Sequence, residues 1–327
     1  STILVHPVIL SESMRLPSYQ KKFAFVVNPT AGMGVAGKEW PRIRTLARDR
    51  LGDILEFITS EPGDGIRMTR AALLGGAKAV VCVGGDGTLN EVVNGFMDEH
   101  GAVDPEARLG FIPIGTGCDF VKTVPIPRQV DRAVDVICGL HTRTIDLGRL
   151  QYLDHAGSRR STYFHNVVSF GLGGEVVERV NRATKAFGGF VSFVWATLAS
   201  VLLYNKKRIG LRVDDVFDGW VVTWNVAVAN GQYHGGGMWV APDAVIDDGL
   251  FHVTVIGDFT LLEVFRHLPK LYNGRLLELQ KVRCLVGTQV EASSDGRVLL
   301  DVDGEQPGTL PVRIQIVPKA LSLFTPE

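Results

Sequence analysis

Three short glycine-rich segments carry the residues of this sequence that could do chemistry. One of them, Gly84-Gly85-Asp86-Gly87-Thr88, follows an apolar run and opens a segment with helical spacing. Its glycines let backbone N–H groups approach a phosphate, and a helix N-terminus adds a partial positive charge. Asp86 would repel a bare phosphate, but it fits a site where Mg²⁺ lies between a carboxylate and nucleotide phosphates. The segment therefore predicts a nucleotide site with a metal ion.

The other two segments repeat this arrangement. Residues 28–32 (NPTAG) follow the first apolar run of the chain, and residues 115–120 (GTGCDF) follow the fourth. In an open parallel sheet, ligands bind beyond the carboxyl ends of the strands. The three loops should therefore converge on one nucleotide.

Strand and helix patterns alternate through the first 140 residues or so, as expected for a parallel sheet covered by helices on both faces. After Asp146 the pattern changes to β-branched and aromatic runs broken by Gly, Asp and Asn, which predicts an antiparallel sheet or sandwich. Helices should interrupt this part at roughly 175–205 and 260–273.

We therefore predict an α/β protein with an N-terminal parallel-sheet nucleotide domain and a C-terminal antiparallel β-rich sandwich domain. The predicted division is an N-terminal extension over 1–22, a nucleotide domain over 23–148 joined by about 312–327, and a β-rich domain over 149–311.

Composition narrows the function classes. The formal net charge is -1 and the pI is about 6.7, which argues against a nucleic-acid binder. The four cysteines lack CxxC spacing, so zinc ligation and a disulfide framework are not expected. This cysteine usage predicts a reducing, cytoplasmic compartment. Residues 1–22 lack the charged and apolar regions of a signal peptide.

The segments NPTAG, GGDGTLNEVVNG and IPIGTGCDF, in this order, resemble the catalytic domain of the diacylglycerol kinase family. That family includes sphingosine and ceramide kinases and soluble bacterial lipid kinases. The resemblance continues through residues 144–148, 166–174, 241–250 and 303–305, and so spans about residues 22 to 327.

The resemblance implies an ATP- and Mg-dependent lipid kinase that phosphorylates a hydroxyl of diacylglycerol or a related lipid. The positions that match its ATP site are Asn28, Pro29, Gly32, Thr59, Gly84, Gly85, Asp86, Gly87, Thr88, Glu91, Gly115, Thr116 and Gly117. Asp86, Asp119 and Asp146 match an acidic network that engages the catalytic Mg²⁺, directly or through water. Glu305 matches the general base.

The resemblance also implies a second, structural Mg²⁺ site, formed by Asp248 and the carbonyls of Val245 and Leu250. Two positions depart from the family pattern. Cys118 stands where the family usually has Asn, and residues 65–67 read Gly-Ile-Arg where Gly-His-Ala is frequent. Both changes put nucleotide contacts in question without removing a charge that the chemistry needs.

Other functions remain open alternatives. Gly32, Gly34 and Gly37 fit the GxGxxG pattern of a Rossmann dehydrogenase, but this leaves the other glycine-rich loops and Glu305 without a role. Residues 32–39 nearly match the P-loop motif, but Glu39 occupies the position where that motif has Ser or Thr. An NAD kinase shares the GGDGT loop, and a non-catalytic nucleotide- or lipid-binding regulator is a further alternative.

The lipid acceptor needs an apolar binding region in the second domain. Residues 187–204 predict an aromatic and aliphatic helix, either part of the core or in contact with an acyl chain or a membrane surface. Its apolar residues include Phe190, Phe193, Trp195, Leu198, Leu202 and Leu203, and its basic neighbours are Arg179, Arg182, Lys185, Lys206, Lys207 and Arg208. Reversible docking on the inner leaflet is the corresponding hypothesis, and a homodimer is compatible with it.

Overall fold

The computed structural model describes residues 23–183 and 201–327. The predicted extension, 1–22, and most of the predicted helix over 187–204, with Phe190, Phe193, Trp195 and Leu198, lie outside the described residues.

The first part of the chain alternates strands and helices as predicted. The elements are β1 (Phe23–Val27), α1 (Ala31–Leu51), β2 (Ile54–Ile58), α2 (Asp64–Leu74), β3 (Ala79–Gly84), α3 (Asp86–Phe96), β4 (Arg108–Pro113), α4 (Phe120–Thr123) and α5 (Val130–Gly139). Strands β1 to β4 are parallel and lie in the order β2-β1-β3-β4. The order reverses beside β1 and β3, where a doubly wound sheet opens a binding crevice.

Two apolar layers cover this sheet. On one face α1 and α5 bury Ile43 and Ile137 against β1 and β3. On the other face α2 and α3 bury Leu73 and Phe96. The central strand β3 is buried along its whole length, as expected for a parallel strand with helices on both sides.

The second part of the chain is mostly strands. Its elements are β5 (Thr142–Asp154), β6 (Arg159–Phe164), β7 (Val167–Gly171), α6 (Leu172–Ala183), β8 (Lys207–Val213), β9 (Phe217–Thr223), β10 (Asn225–Ala229), β11 (Tyr233–His234), β12 (Met238–Trp239), β13 (Phe251–Ile256), α7 (Leu261–His267), β14 (Val282–Gly287), β15 (Gln289–Ser293), β16 (Leu300–Val302) and β17 (Gly308–Phe324). Short 3₁₀ turns follow α7 at Leu268–Leu271 and Leu276–Glu278.

Two sheets form the predicted sandwich. The first parallel sheet continues through β17 to β15, β8 and β9, and a five-stranded antiparallel sheet has the order β14-β13-β10-β7-β16. Side chains of both sheets, including Phe164, Val228 and Ile314, form the core between them. The predicted two-part α/β fold class is confirmed.

Long strands connect the two halves. β5 and β17 pair over most of their length, and Ser322 and Leu323 of β17 also pair with Arg108 and Leu109 of β4. The division predicted near residue 148 falls inside β5. The chain therefore passes from one half to the other within continuous hydrogen-bonded strands.

Two apolar runs that the sequence predicts as single strands are each split between the sheets. The run 161–172 changes sheets at His165 and Asn166, between β6 and β7, and the run 219–231 changes at Trp224, between β9 and β10. Hydrophobic pattern alone does not reveal such a change, because both sheets bury a face in the same core.

Gly148 tests how tightly this core is packed. A methyl group there would overlap the ring of Phe164, which is fully buried and stacked on Phe251 with ring centroids 5.7 Å apart. We expect Gly148→Ala to lower the free energy of unfolding by about 1–3 kcal/mol, because the crowded ring cannot move away. The measurement is urea denaturation, with Gly296→Ala as the control, since nothing lies within 4 Å of the methyl it adds. Equal stability of the two variants would contradict this packing.

Candidate active site

The loops after β1, β3 and β4 meet at one edge of the parallel sheet. The backbone N–H of Asn28 donates to the Val83 carbonyl at 3.0 Å, and that of Ile114 donates to the Gly84 carbonyl at 2.7 Å. The Asn28 side chain also donates to Thr88 Oγ1 at 3.0 Å. The structure thus brings the three predicted loops together.

Glycines let the second and third loops touch. A methyl group on Gly115 would lie 2.8 Å from the Cα atom of Gly85, so the third loop has no room for a larger residue at this contact. Arg128 fixes the third loop from outside, donating to the Gly115 carbonyl at 2.6 Å and to the Gly117 carbonyl at 3.5 Å. Arg128 was absent from the residues predicted from sequence.

Helix α3 begins where these loops meet. Gly85 precedes its first turn, which holds Asp86, Gly87 and Thr88. The N–H groups of a first helical turn have no carbonyl partner within the helix. Together with the helix dipole, they form a site suited to an anion such as phosphate.

Asp86 places a carboxylate at this same helix start. Its Oδ2 accepts the Asp119 backbone N–H at 3.2 Å, while its Oδ1 is buried without a hydrogen-bond partner among the described residues. Burial raises the pKa of Asp86, the charges of Asp119 and Asp303 raise it further, and His165 opposes them. A cation bound to Oδ1 would both satisfy the orphaned oxygen and favour the charged carboxylate.

Asp119 connects the nucleotide half to the β-rich half. One carboxylate oxygen pairs with Lys122 at 2.7 Å, and the other accepts the backbone N–H of Gly236 at 2.7 Å. Gly236 lies in the turn between β11 and β12 and has a φ of 83°, a conformation that favours glycine. The predicted acidic residue thus has structural partners on both sides of the cleft.

Glu305 follows a tight turn of the β-rich half. Asp303 and Gly304 both have positive φ, 50° and 92°, and Val302 and Glu305 exchange hydrogen bonds of 2.8 and 2.9 Å. This is the geometry of a type I′ hairpin. The turn directs Glu305 at α3, because a methyl group on Gly87 would lie 3.3 Å from Glu305 Oε1.

Asp86, Gly117 and Glu305 therefore share one cleft. A methyl group on Gly117 would lie 3.4 Å from Asp86 Oδ2, which places the third loop against the same carboxylate. Part of the Glu305 side chain is exposed to solvent. The protein nevertheless displaces water from around its carboxylate, which raises its pKa, and the charges of Glu91 and Asp301 raise the pKa further. A raised pKa moves a carboxylate toward the range useful for a general base.

A buried carboxylate holds the Glu305 turn in place. Asp303 accepts hydrogen bonds from Asn90 of α3 at 2.9 Å and from three successive backbone N–H groups, those of residues 165–167, at 2.9 to 3.2 Å. His165 Nδ1 lies 2.8 Å from the same carboxylate. Although burial opposes ionisation, the charge of His165 and these hydrogen bonds lower the pKa of Asp303.

A second buried pair lies beside the first. Nε2 of His234 is 3.2 Å from Asp301 Oδ2, and both side chains are almost wholly buried. Burial alone would lower the pKa of His234, but the charge and hydrogen bond of Asp301 outweigh it, so the pKa lies above its ordinary value. Asp301 also accepts the Gly304 N–H at 2.9 Å, so this pair supports the Glu305 turn.

Two residues predicted to contact nucleotide have hydrogen-bond partners within the nucleotide half. Glu91 accepts the backbone N–H groups of Gly63 and Gly65, both at 2.8 Å, and so fixes the start of α2. Thr59 follows β2 and donates its backbone N–H to the Val27 carbonyl at 2.9 Å. The close approach of Glu91 explains why position 65 is glycine, since a methyl group there would lie 2.7 Å from Glu91 Oε2.

Asp146 has partners other than Asp86 and Asp119. Its carboxylate accepts the backbone N–H groups of Gly249 at 2.7 Å and Lys319 at 2.6 Å. It therefore fixes the turn that carries Val245, Asp248 and Leu250, the residues of the predicted structural Mg²⁺ site. Asp248 is exposed and accepts the Leu250 N–H at 3.0 Å, and its metal role stays a prediction.

A cavity of about 380 Å³ opens beside the first and third loops. Its lining residues are Gly32, Met33, Val35, Glu39, Pro113, Ile114, Gly115, Thr116, Arg128 and Val130. Gly32 and Thr116, both predicted to contact nucleotide, thus face a space of the size that small ligands occupy. Pro29 packs behind this loop, where a methyl group on Gly37 would lie 2.9 Å from its carbonyl oxygen.

Cys118 occupies a left-handed position, with a φ of 48°, which asparagine adopts more readily than most residues. Its thiol is buried, and burial followed by the charge of Asp86 raises its pKa to about 11. The thiol is therefore neutral, and Cys118 adds no charge to the site.

Sequence reasoning missed His165, His234 and Asp301. Asp301 lies in the strand Leu300–Val302, and Asp303 lies two residues later in the following turn. Both carboxylates are buried. Buried carboxylates need partners, so these two residues were the signal that hydrogen-bond donors should lie opposite. Nothing in the sequence indicated that His165 and His234 would be among them.

Comparisons with known proteins agree with this architecture. The family model of the diacylglycerol kinase catalytic domain matches residues 22–150, and that of the YegS C-terminal NAD kinase beta sandwich-like domain matches residues 166–325. The diacylglycerol kinase of Staphylococcus carnosus is 27% identical over 311 residues, 94% of this chain and 96% of that protein. That of Staphylococcus haemolyticus is 27% identical over 307 residues, 92% and 87% of the two chains.

Solved structures show the same fold. A diacylglycerol kinase from Bacillus anthracis superposes with a TM-score of 0.69 at 19% identity, over 94% of this chain and 97% of that one. The yeast NADH kinase superposes with a TM-score of 0.54 at 12% identity, over 94% and 84%.

The His234–Asp301 pair predicts a pH dependence of stability. Because the pKa of His234 is raised on folding, its stabilisation is complete below the unfolded pKa of about 6.5 and is lost as pH rises through the folded value. We expect His234→Gln to lower the free energy of unfolding by on the order of 2 kcal/mol at pH 6, and by less at pH 9. The measurement is urea denaturation at both pH values.

His100→Gln is the control, since the His100 side chain is 85% exposed and should show no such difference. A gap between wild type and His234→Gln that stays the same from pH 6 to pH 9 would contradict a charged pair.

Proposed function

The chain belongs to the diacylglycerol kinase catalytic domain family and is a lipid kinase, and we propose that it transfers the γ-phosphoryl group of ATP to a hydroxyl of diacylglycerol or a related lipid. One observation carries the proposal: Asp86 and the three glycine loops come from one half of the molecule, and Glu305 faces them from the other. Phosphoryl transfer needs this combination of anion positioning, charge neutralisation and a base.

The first half would hold the nucleotide. The phosphates fit the start of α3, where the Gly84–Thr88 loop supplies backbone N–H groups. The remainder of the nucleotide would extend along Asn28, Gly32 and Gly115 into the cavity beside the first and third loops. Arg128 and the Asn28–Thr88 hydrogen bond would keep these loops fixed while the substrate binds.

The residues around Asp86 fit a Mg²⁺ ion bound jointly with nucleotide. Within residues 23–183 and 201–327, no three His, Cys, Asp or Glu side chains form a cluster that could hold a metal. Mg²⁺ usually binds through one or two carboxylates together with phosphates and water, which matches a single orphaned Asp86 oxygen. When bound, it supplies neutralisation of the charge on the phosphates.

Glu305 would accept the proton of the lipid hydroxyl. Its raised pKa lies closer to neutral pH than that of an ordinary glutamate. The nearby carboxylates of Glu91 and Asp301 disfavour another negative charge and so favour proton uptake by Glu305. The hairpin that carries it is fixed by Asp303 and Asp301, so the carboxylate keeps its position during transfer. Loss of the hydroxyl proton makes that oxygen the attacking nucleophile.

The location of the reaction follows from its substrates. No helix in the described part of the chain is long and apolar enough to cross a membrane. Because the proposed phosphoryl donor, ATP, is available in the cytoplasm, we propose that the kinase works there on lipid presented at the inner face of the membrane.

Two substitutions test the assigned chemistry. Glu305→Gln should lower kcat by about 10²–10⁴-fold because the proton acceptor is lost. Asp86→Asn should lower it by at least about 10²-fold because Mg²⁺ loses its carboxylate. The measurement is incubation with labelled ATP, Mg²⁺ and a panel of lipids, with the product identified by its mass.

Glu99→Gln is the control, because its side chain is 81% exposed and lies beyond the C-terminal end of α3, whose N-terminal end carries Asp86. Near-wild-type turnover by either site variant would show that its assigned role is wrong. Phosphorylation of NAD in place of any lipid would favour the NAD kinase alternative, and nucleotide binding without turnover would favour a regulator.

A further inference from the structure

One end of the β-rich half exposes a set of large apolar side chains. Every side chain of α7 is at least partly exposed. Leu262 is 80% exposed. Three more large side chains follow it at intervals of three or four residues: Phe265 is 42% exposed, Leu268 is 43% exposed and Tyr272 is 53% exposed. We call this segment, Leu261–Tyr272, the α7 surface.

Residues just before β8 extend the α7 surface. Leu202 and Leu203 are 52% and 64% exposed. Their neighbours Val201 and Tyr204 pack in the same apolar cluster as Val264, which lies on the inner side of α7. The two segments share their buried support, so their exposed leucines belong to one continuous face.

The charges around this face are predominantly positive. Its cations are Arg179, Lys206, Lys207, Arg266, Lys270, Arg275 and Lys281, and its carboxylates are Glu175, Asp258, Glu263 and Glu278. Three of these carboxylates are already paired, Asp258 with Lys206, Glu263 with Lys281, and Glu278 with Lys270 and Arg275. The face thus has excess positive charge on a chain whose net charge is -1.

We propose that the α7 surface, with Leu202 and Leu203, is where the protein docks on an anionic bilayer. The proposal rests on the proposed lipid kinase function. An apolar face bordered by cations matches the interfacial region of a membrane, where apolar side chains enter the acyl boundary and cations meet anionic headgroups.

Strand β7 connects the support of this face to the turn that carries Glu305. It runs from Val167, which is bonded to Asp303, to Gly171, which lies beside Trp224 in the apolar cluster under α7. Its five residues are all buried and span about 17 Å. The apolar cluster under α7 and the turn of Glu305 therefore lie at opposite ends of one strand of the β-rich half.

The test removes the apolar character of the face without touching the site. We expect the double substitution Leu262→Ser and Phe265→Ser to weaken co-sedimentation with phosphatidylglycerol–phosphatidylcholine vesicles by about tenfold or more. The matched control is Leu74→Ser, which removes a 76% exposed leucine from the nucleotide half and should bind vesicles as wild type does. Unchanged vesicle binding by the double variant would overturn the proposal.

Activity separates this proposal from the proposed function. The double variant should phosphorylate a short-chain diacylglycerol dissolved as monomers at the wild-type rate, and vesicle-embedded diacylglycerol about tenfold more slowly. Equal losses on both substrates would overturn the docking role. Absence of lipid phosphorylation by the wild type, with vesicle binding intact, would instead count against the proposed function.

Sedimentation equilibrium examines the alternative occupant, a second copy of the chain. If the double substitution converts a dimer to a monomer and leaves vesicle binding unchanged, the face is a dimer interface and membrane docking is wrong. If vesicle binding falls while the oligomeric state stays the same, the membrane proposal is supported.

Discussion

The carboxylate of Asp303 joins the two halves of this molecule at the point where chemistry is proposed. It accepts hydrogen bonds from Asn90 of α3 and from the backbone between β6 and β7, and it belongs to the hairpin that ends in Glu305. These hydrogen bonds stabilise the buried charge of Asp303. Removing the carboxylate would leave His165 and several N–H groups without a partner. This group connects the turn of Glu305 to α3, while Asp301 supports the same turn from within the β-rich half.

A second constraint is the negative charge that gathers around the cleft. In addition to burial, the charge of Asp119 raises the pKa of Asp86. The charges of Glu91 and Asp301 likewise add to burial in raising the pKa of Glu305. Such repulsion destabilises the site unless cations lie nearby, and His165 and His234 lie against Asp303 and Asp301 within the protein itself. The same repulsion adds to burial in raising the pKa of Glu305, the proposed base.

Much of this architecture was predictable from sequence, for reasons visible in particular elements. β3 is buried along its whole length and reads as a continuous apolar run, and the Gly84–Thr88 loop has a composition that few turns other than anion sites require. Convergence of the three loops followed from a parallel sheet, since such a sheet puts all strand ends at one edge. The family resemblance then assigned Glu305 to the opposite side.

The rest depended on contacts that one-dimensional patterns do not contain. The sheet changes at Asn166 and Trp224 are hidden, because each run keeps burying apolar residues in one shared core. The partners of Asp303 come from positions about 137 and 213 residues away, and no local pattern connects residues so far apart. Asp146 was grouped with Asp86 by resemblance, and that role stays a prediction; its bonds to the backbone of Gly249 and Lys319 are contacts that the sequence did not indicate.

These long-range contacts also explain how one chain can serve a water-soluble and a water-insoluble substrate. β5 and β17 are continuous through both halves, so the nucleotide loops and the sandwich form one hydrogen-bonded framework and not two bodies joined by a linker. The catalytic turn lies at one end of β7 and the exposed apolar face lies at the other. Because β7 is a buried strand of the five-stranded sheet, its two ends keep a fixed separation, and the proposed docking face and the proposed base stay in a constant spatial relation.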